Sequence, residues 1–371
     1  MKQKVRSNSS RFKVIGFLIL SITCLMLFVS CRASQPADTA TEEVVVEKET
    51  EAITTDGEVQ ETALKVALVA NQTFGDQGPM DSMRKGLEEA GSDFGVEIKA
   101  LESKEPADYE ENVRSMAEQG YDLVIVTFYP MVEAVMSVAP DFPDTKFAIV
   151  YGALEEPMDN VRTIEINYND VSFVIGGIAG LMTETDKLGY VSGADLPDIN
   201  RNYNAFMQGA KYINPDVTGQ ILYADSFEDP AKGKEIALML YGQGVDIIAT
   251  NAALTSMGVF EAAKEKGLYV IGDTSDNSAL APANVIVTGI VRFDGAVYQQ
   301  VKELVEGVWQ SGHYISDFTN GGIAVSQMDS FEKNGPESMT SKVTKAKETV
   351  DELIEKINSG EIEVTTETTI K

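Results

Sequence analysis

The chain has 371 residues, 43% of them hydrophobic, and a formal net charge of −28. That length exceeds one ordinary core and predicts two lobes. The acidic balance excludes a nucleic-acid partner, because phosphate backbones need a basic footprint, and it says nothing about fold.

Both cysteines, Cys24 and Cys31, lie near the N-terminus, so from Arg32 onward there is neither a disulfide framework nor a thiolate metal site. The single histidine, His313, cannot build a histidine metal cluster and reads as a helix-end residue. No cofactor and no metal are expected.

The first thirty residues read as a secretion signal. Lys2, Lys4, Arg6, Arg11 and Lys13 form a basic region, and an apolar run from Val14 to Val29 follows. That run is short for a bilayer-spanning helix, which needs about 20 residues. It ends in Leu27-Phe28-Val29-Ser30-Cys31, which resembles a bacterial lipobox with Phe28 in the place of the usual aliphatic residue. The resemblance implies a lipid on Cys31 and a body held at the outer face of the cell membrane. Cleavage there would remove five basic groups and no acids, giving −28 − 5 = −33.

Residues 31–63 read as the lipidated cysteine and an acidic tether. They carry Glu42, Glu43, Glu47, Glu49, Glu51, Glu58 and Glu61 without a sustained apolar period, which cannot support a core.

From Leu64 strands alternate with helices. Lys65–Ala70 is an apolar run predicting a strand buried on both faces, followed by a polar turn and a helix from about Met80 that stops before Gly91. Further strands are expected at 96–101, 122–128, 146–151 and 161–166. A second series follows at 187–192, 220–224, 245–250, 269–272 and 285–290. Helices are expected at 109–119, 171–183, 201–213, 230–241, 256–266, 295–310 and 341–358. Asp229-Pro230 reads as an N-cap with proline at N1. The alternation predicts an α/β fold with two doubly wound parallel-sheet lobes. The expected lobes are 64–166 plus about 293–322, and 167–292 plus about 323–360, with a frayed tail at 361–371.

Ligands in open α/β sheets bind beyond the carboxyl ends of strands. Those ends offer Phe74, Asp76, Gln77, Phe128, Tyr129, Tyr203, Phe206, Asn251, Thr255, Thr274, Asp276 and Arg292 as candidates. Carboxylates and amides can pair with vicinal hydroxyls, and aromatic faces stack on flat rings or sugar faces. A phosphate suits the set poorly, since Arg292 alone brings cationic charge. Each candidate also has a plainer role open to it. Phe206 has the spacing of a core residue, Asp76 can cap the following helix, and Asp195 and Asp198 can serve loops or caps. No GxGxxG turn, phosphate-binding loop or nucleophile elbow appears, so nothing demands catalysis.

Several separated segments carry a resemblance. GIAGLMTETDKLGYVSGADLPDINRNYNAFMQGAKYINPD from Gly177, SFEDPAKGKEIALMLYGQGVD from Ser226, VIGDTSDN from Val270 and INSGEIEV from Ile357 stand in order. Over Lys65 to Val364 the chain resembles the basic membrane protein family of bacterial substrate-binding lipoproteins, which includes the purine nucleoside receptor A proteins.

The resemblance implies a type I periplasmic-binding-protein fold, a hinge, a cleft that closes on a small polar ligand, and an ABC transporter permease as partner. The implied ligand is a nucleoside, with Phe74, Phe128 and Phe206 expected to stack on it and Asp76, Asn251, Thr274 and Asp276 expected to bond its polar groups. The alternatives are a sugar or signalling molecule, or a sensor or surface lipoprotein without transport. The chain departs from the family at two loops. Asp76-Gln77-Gly78-Pro79-Met80 lacks the usual Phe and Asn, and the usual ribose-binding Asp falls on Thr274, with the side chain of Asp273 expected to point elsewhere. Arg292 is the nearest match to the family's lysine after the next strand.

Overall fold

The computed structural model describes residues 63–370 except Gln77. The signal segment, Cys31, most of the tether and Gln77 lie outside the described residues.

Five of the six strands of the first sheet come from the first series. β1 (Lys65–Ala70), β2 (Glu97–Glu102), β3 (Leu123–Thr127), β4 (Lys146–Val150) and β5 (Val161–Ile166) alternate with α1 (Pro79–Phe94), α2 (Tyr109–Glu118) and α3 (Val132–Val138). β1 and β3 are central and almost wholly buried, whereas the edge strand β2 is mostly half-exposed. α1 runs past Gly91 to Gly95, whose φ of 67° closes it. Gly91 is instead a packing position, where a Cβ would stand 2.9 Å from the Ile98 side chain.

The second series opens with α4 (Tyr168–Met182), β6 (Lys187–Ser192), α5 (Pro197–Ile213) and β7 (Thr218–Tyr223). It continues with α6 (Pro230–Gly242), β8 (Ile247–Asn251), α7 (Ser256–Lys266), β9 (Tyr269–Thr274) and β10 (Val285–Val291). At the start of α6, Asp229 accepts a hydrogen bond from the Lys232 N–H and Pro230 occupies the first turn, as its dipeptide predicts.

The remaining elements are α8 (Phe293–Val305), β11 (Gly312–Ser316), β12 (Ile323–Val325), α9 (Asp329–Asn334), α10 (Glu337–Thr340) and α11 (Val343–Asn358). β11 and β12 have no sustained apolar pattern and escape the sequence reading. The long helix expected at 295–310 stops at Val305, and His313 lies on β11 rather than at a helix end. Its Nδ1 is 2.9 Å from Thr163 Oγ1, and its Nε2 is 3.3 Å from Glu165.

The sheets are ordered β11-β5-β4-β3-β1-β2 and β12-β10-β9-β8-β6-β7. All neighbours are parallel except β10 and β12. Because β11 joins the first sheet and β12 the second, the chain passes between the sheets after β5, after β10 and after β11. These passages join two α/β lobes.

Residues 363–370, expected as a frayed end, lie along α5. Asn204 and Gln208 donate side-chain hydrogen bonds to carbonyls of Glu363, Glu367 and Thr369. Among the described residues, no helix is long and apolar enough to cross a membrane, and no group of histidine, cysteine or acidic side chains is arranged to hold a metal.

Candidate functional site

A cavity of about 600 Å³ lies beyond the carboxyl ends of β1, β3, β4, β8 and β9. Both sheets contribute to it, as expected where parallel strands end together.

Four residues at these ends have left-handed backbones. They are Phe128 (φ 64°), Tyr151 (φ 60°), Ala253 (φ 46°) and Thr274 (φ 69°), and all four line the cavity. A non-glycine residue there costs roughly 1–3 kcal/mol and persists only when its surroundings over-determine it. Ladder hydrogen bonds supply that constraint: Phe128 N–H donates to the Val150 carbonyl and Tyr151 N–H to that of Ile164, both at 2.8 Å. The strain turns both rings off the strand direction into one cluster. Phe128 meets Tyr151 and Phe293 edge-on, each with centroids 5.8 Å apart. Tyr151 also meets Tyr129 at 5.9 Å and Tyr168 at 6.2 Å.

Polar groups complete the wall. Asn71 is held by Thr127, whose hydroxyl accepts from the Asn71 N–H at 2.9 Å and donates to its Oδ1 at 2.8 Å. Asp198, Arg201 and Asn202 enter from the first turns of α5, and Asn251 and Asp273 from the ends of β8 and β9. Arg201 lies 3.4 Å from the Tyr151 hydroxyl and 3.8 Å from Glu165. The cation in the cleft is therefore Arg201. Arg292 faces away, is half exposed and pairs with Asp294 at 2.9 Å. Burial pushes the Asp198 carboxyl above the ordinary carboxylate range.

Asp273 overturns an expectation. Its side chain faces the cleft and accepts a hydrogen bond from the Tyr168 hydroxyl. Burial lifts its pKa from 3.8 to about 8, against hydrogen bonds from Thr274 that lower it. The folded chain thus holds a proton there that the unfolded chain has lost. This contribution to stability is complete below about pH 4 and disappears as pH rises through about 8. Asp273→Asn should flatten that decline when urea midpoints are compared at pH 5 and pH 8; an equal decline in both proteins would refute the assignment.

The sequence candidates divide. Phe128, Tyr129, Asn251 and Thr274 line the cleft. Phe206 and Tyr203 are core, packed edge-on against Tyr190 at 5.6 and 5.5 Å. Thr255 is fully buried, accepting from the Asp229 N–H and donating to the Ser226 carbonyl. Asp76 accepts from the N–H groups of Gly78, Met80 and Asp81, capping α1. Phe74 stacks under the Arg84 guanidinium 5.1 Å away and is not among the cleft residues. Asp276 faces an adjoining cavity of about 230 Å³.

Tyr151, Tyr168, Phe293, Phe227 and Arg201 line the cleft and were not among the sequence candidates. For Tyr151 a signal existed: it is the first residue past β4, the position that identified Phe128 past β3. Tyr168 and Phe293 sit where the chain passes between sheets, which no local pattern announces.

Two mostly parallel sheets, three passages and a cleft at their carboxyl ends define a solute-binding protein of the type I periplasmic class. A solute-binding protein of an Aeropyrum pernix ABC transporter system superposes with a TM-score of 0.75 at 26% identity, covering 82% of this chain and 94% of that one. The family described as ABC transporter substrate-binding protein PnrA-like matches residues 63–368, and the chain belongs to it. A purine-binding protein of Brucella abortus is 31% identical over 68% of this chain and 71% of its own length. The ABC transporter nucleoside-binding protein BmpA of Lactococcus lactis is 27% identical over 84% and 90%.

Proposed function

We propose that this ABC substrate-binding protein captures a purine nucleoside and delivers it to an importer permease while anchored through Cys31 at the extracytoplasmic face. The observation that carries the reading is the aromatic wall of Phe128, Tyr129, Tyr151, Tyr168 and Phe293, which shares the cleft with Asn71, Asp198, Asn251 and Asp273. A flat base suits the rings, and ribose hydroxyls suit the carboxylates and amides. The purine- and nucleoside-binding relatives support it. Arg201 is the single cation among the cleft-lining residues and already lies 3.8 Å from Glu165, which disfavours a phosphorylated ligand.

Closure follows from contacts between the two lobes. Thr73, after β1, donates to Glu228, after β7, at 2.5 Å, and Arg201 reaches Tyr151 from the opposite wall. A ligand that touches both walls favours the shut form.

Thermal unfolding of the purified chain against inosine, guanosine, adenosine, free bases, nucleotides and sugars tests the ligand. A ligand at 100 times its Kd adds about 2.7 kcal/mol to the native state. Nucleosides should stabilise. A folded chain that ignores them and responds to a sugar would overturn the reading. Phe128→Ala should then weaken nucleoside binding by roughly 5- to 150-fold, since a base–aromatic stack is worth about 1–3 kcal/mol; titration calorimetry reads this directly. Cys31→Ser should move the protein from the membrane fraction to the medium, and its retention would refute the anchor.

A further inference from the structure

The tail runs along α5 toward the end of that helix that lines the cleft. Gln208 donates from Nε2 to the Glu363 carbonyl at 3.0 Å and accepts from the Thr365 N–H at 2.9 Å. One turn nearer the cleft, Asn204 donates from Nδ2 to the carbonyls of Glu367 at 2.7 Å and Thr369 at 3.1 Å. The two amides stand four residues apart, on one face of the helix. They grip main chain, so the hold does not depend on the tail's own side chains. Thr368, between two gripped carbonyls, lines the cleft beside Pro197, Asp198, Arg201 and Asn202. Ile370 beyond it packs against the main core.

This hold has a small margin. Four hydrogen bonds to α5, each of modest net worth, and two apolar anchors, Val364 and Ile370, oppose the ordering of residues 363–370. An element so balanced exchanges between docked and released forms, and a ligand that touches only the docked form shifts the exchange.

We propose that residues 363–370 form a strap that seals the α5 side of the cleft, with Thr368 contacting the bound solute, so that release requires the strap to lift. The nucleoside reading enters only through the choice of probe.

The test compares the full chain with a deletion of residues 365–371 and with the double variant Asn204→Leu, Gln208→Leu, which keeps the tail and removes its grip. Inosine should dissociate about tenfold faster from both, the change expected for roughly one lost hydrogen bond. Unchanged dissociation from both overturns the strap. A ligand-free arm uses anilinonaphthalene sulfonate, whose emission should rise when the deletion uncovers the aromatic wall; equal emission overturns the strap whether or not inosine binds. Failure of inosine to bind the intact chain, with emission still raised by the deletion, sinks the nucleoside reading and supports the strap. If circular dichroism shows either variant unfolded, Thr368→Val carries the contact test, and dissociation equal to that of the intact chain refutes it.

Discussion

Gly209→Ala should lower the stability of the chain by about 3 kcal/mol, the upper part of the range for overpacking a closed core. A Cβ at Gly209 would stand 1.9 Å from the Phe173 carbonyl oxygen, and one at Gly176 would stand 2.0 Å from that of Phe206. Both obstacles are backbone, which cannot rotate aside as a side chain can. The two helices therefore cross through glycine, and any side chain at the seam drives α5 off α4. Because α5 carries Asp198, Arg201 and Asn202 into the cleft, the same change should also weaken solute binding. Gly242→Ala is the control. It stands in the last turn of α6 with nothing within 4 Å of its Cβ position, so it should be neutral or slightly stabilising. Urea midpoints of the two variants decide the matter. Equal midpoints would show that the helices separate without penalty, and the seam argument would fall.

Arg162→Ala should cost about 3–5 kcal/mol, the usual result of removing one partner from a buried ion pair. Arg162 is 1% exposed, and its guanidinium donates to Glu303 at 2.5 Å, Gln300 at 3.0 Å and the Gln310 carbonyl at 2.6 Å. It lies 4.8 Å from the ring centre of Trp309 and 4.0 Å from that of Tyr314. One side chain of β5 thus ties α8 and the segment leading into β11 to the first sheet. Burial opposes the Glu303 charge, but hydrogen bonds from Gln299 and Arg162 outweigh it and hold the carboxyl below its ordinary range. Without Arg162 that carboxylate keeps only partial hydration, at 19% exposure. Arg162→Met retains the volume between the rings and should lose less. A larger loss for methionine than for alanine would contradict the packing account.

The two series of strands were legible because a strand buried on both faces needs an unbroken apolar run. Lys65–Ala70, 123–127 and 247–251 supply such runs between polar turns. β11 and β12 were not legible. Gly312–Ser316 is largely exposed and gains its place by pairing with β5, so its identity as a strand depends on a neighbour about 150 residues away. Phe206 and Tyr203 lie away from the cleft lining for a related reason. α5 turns them toward Tyr190 on β6, while Arg201 and Asn202 from the same helix reach the cleft.

The sequence by itself determined the α/β alternation, the two series, and the placing of a site at the carboxyl ends of the strands. Hydrophobic period and turn chemistry are local properties, and they suffice for that. The tertiary structure decided which of the candidates line the cleft and which further residues join them. Phe128 and Tyr151 line the cleft because strained backbones at two strand ends are held by sheet hydrogen bonds, and Thr274 lines it from the end of β9. Arg201, Asp273 and Thr368 arrive from different elements that meet only when the sheets are joined and the tail docks. Convergence of residues distant in sequence is a property of packing, and no periodicity along the chain encodes it.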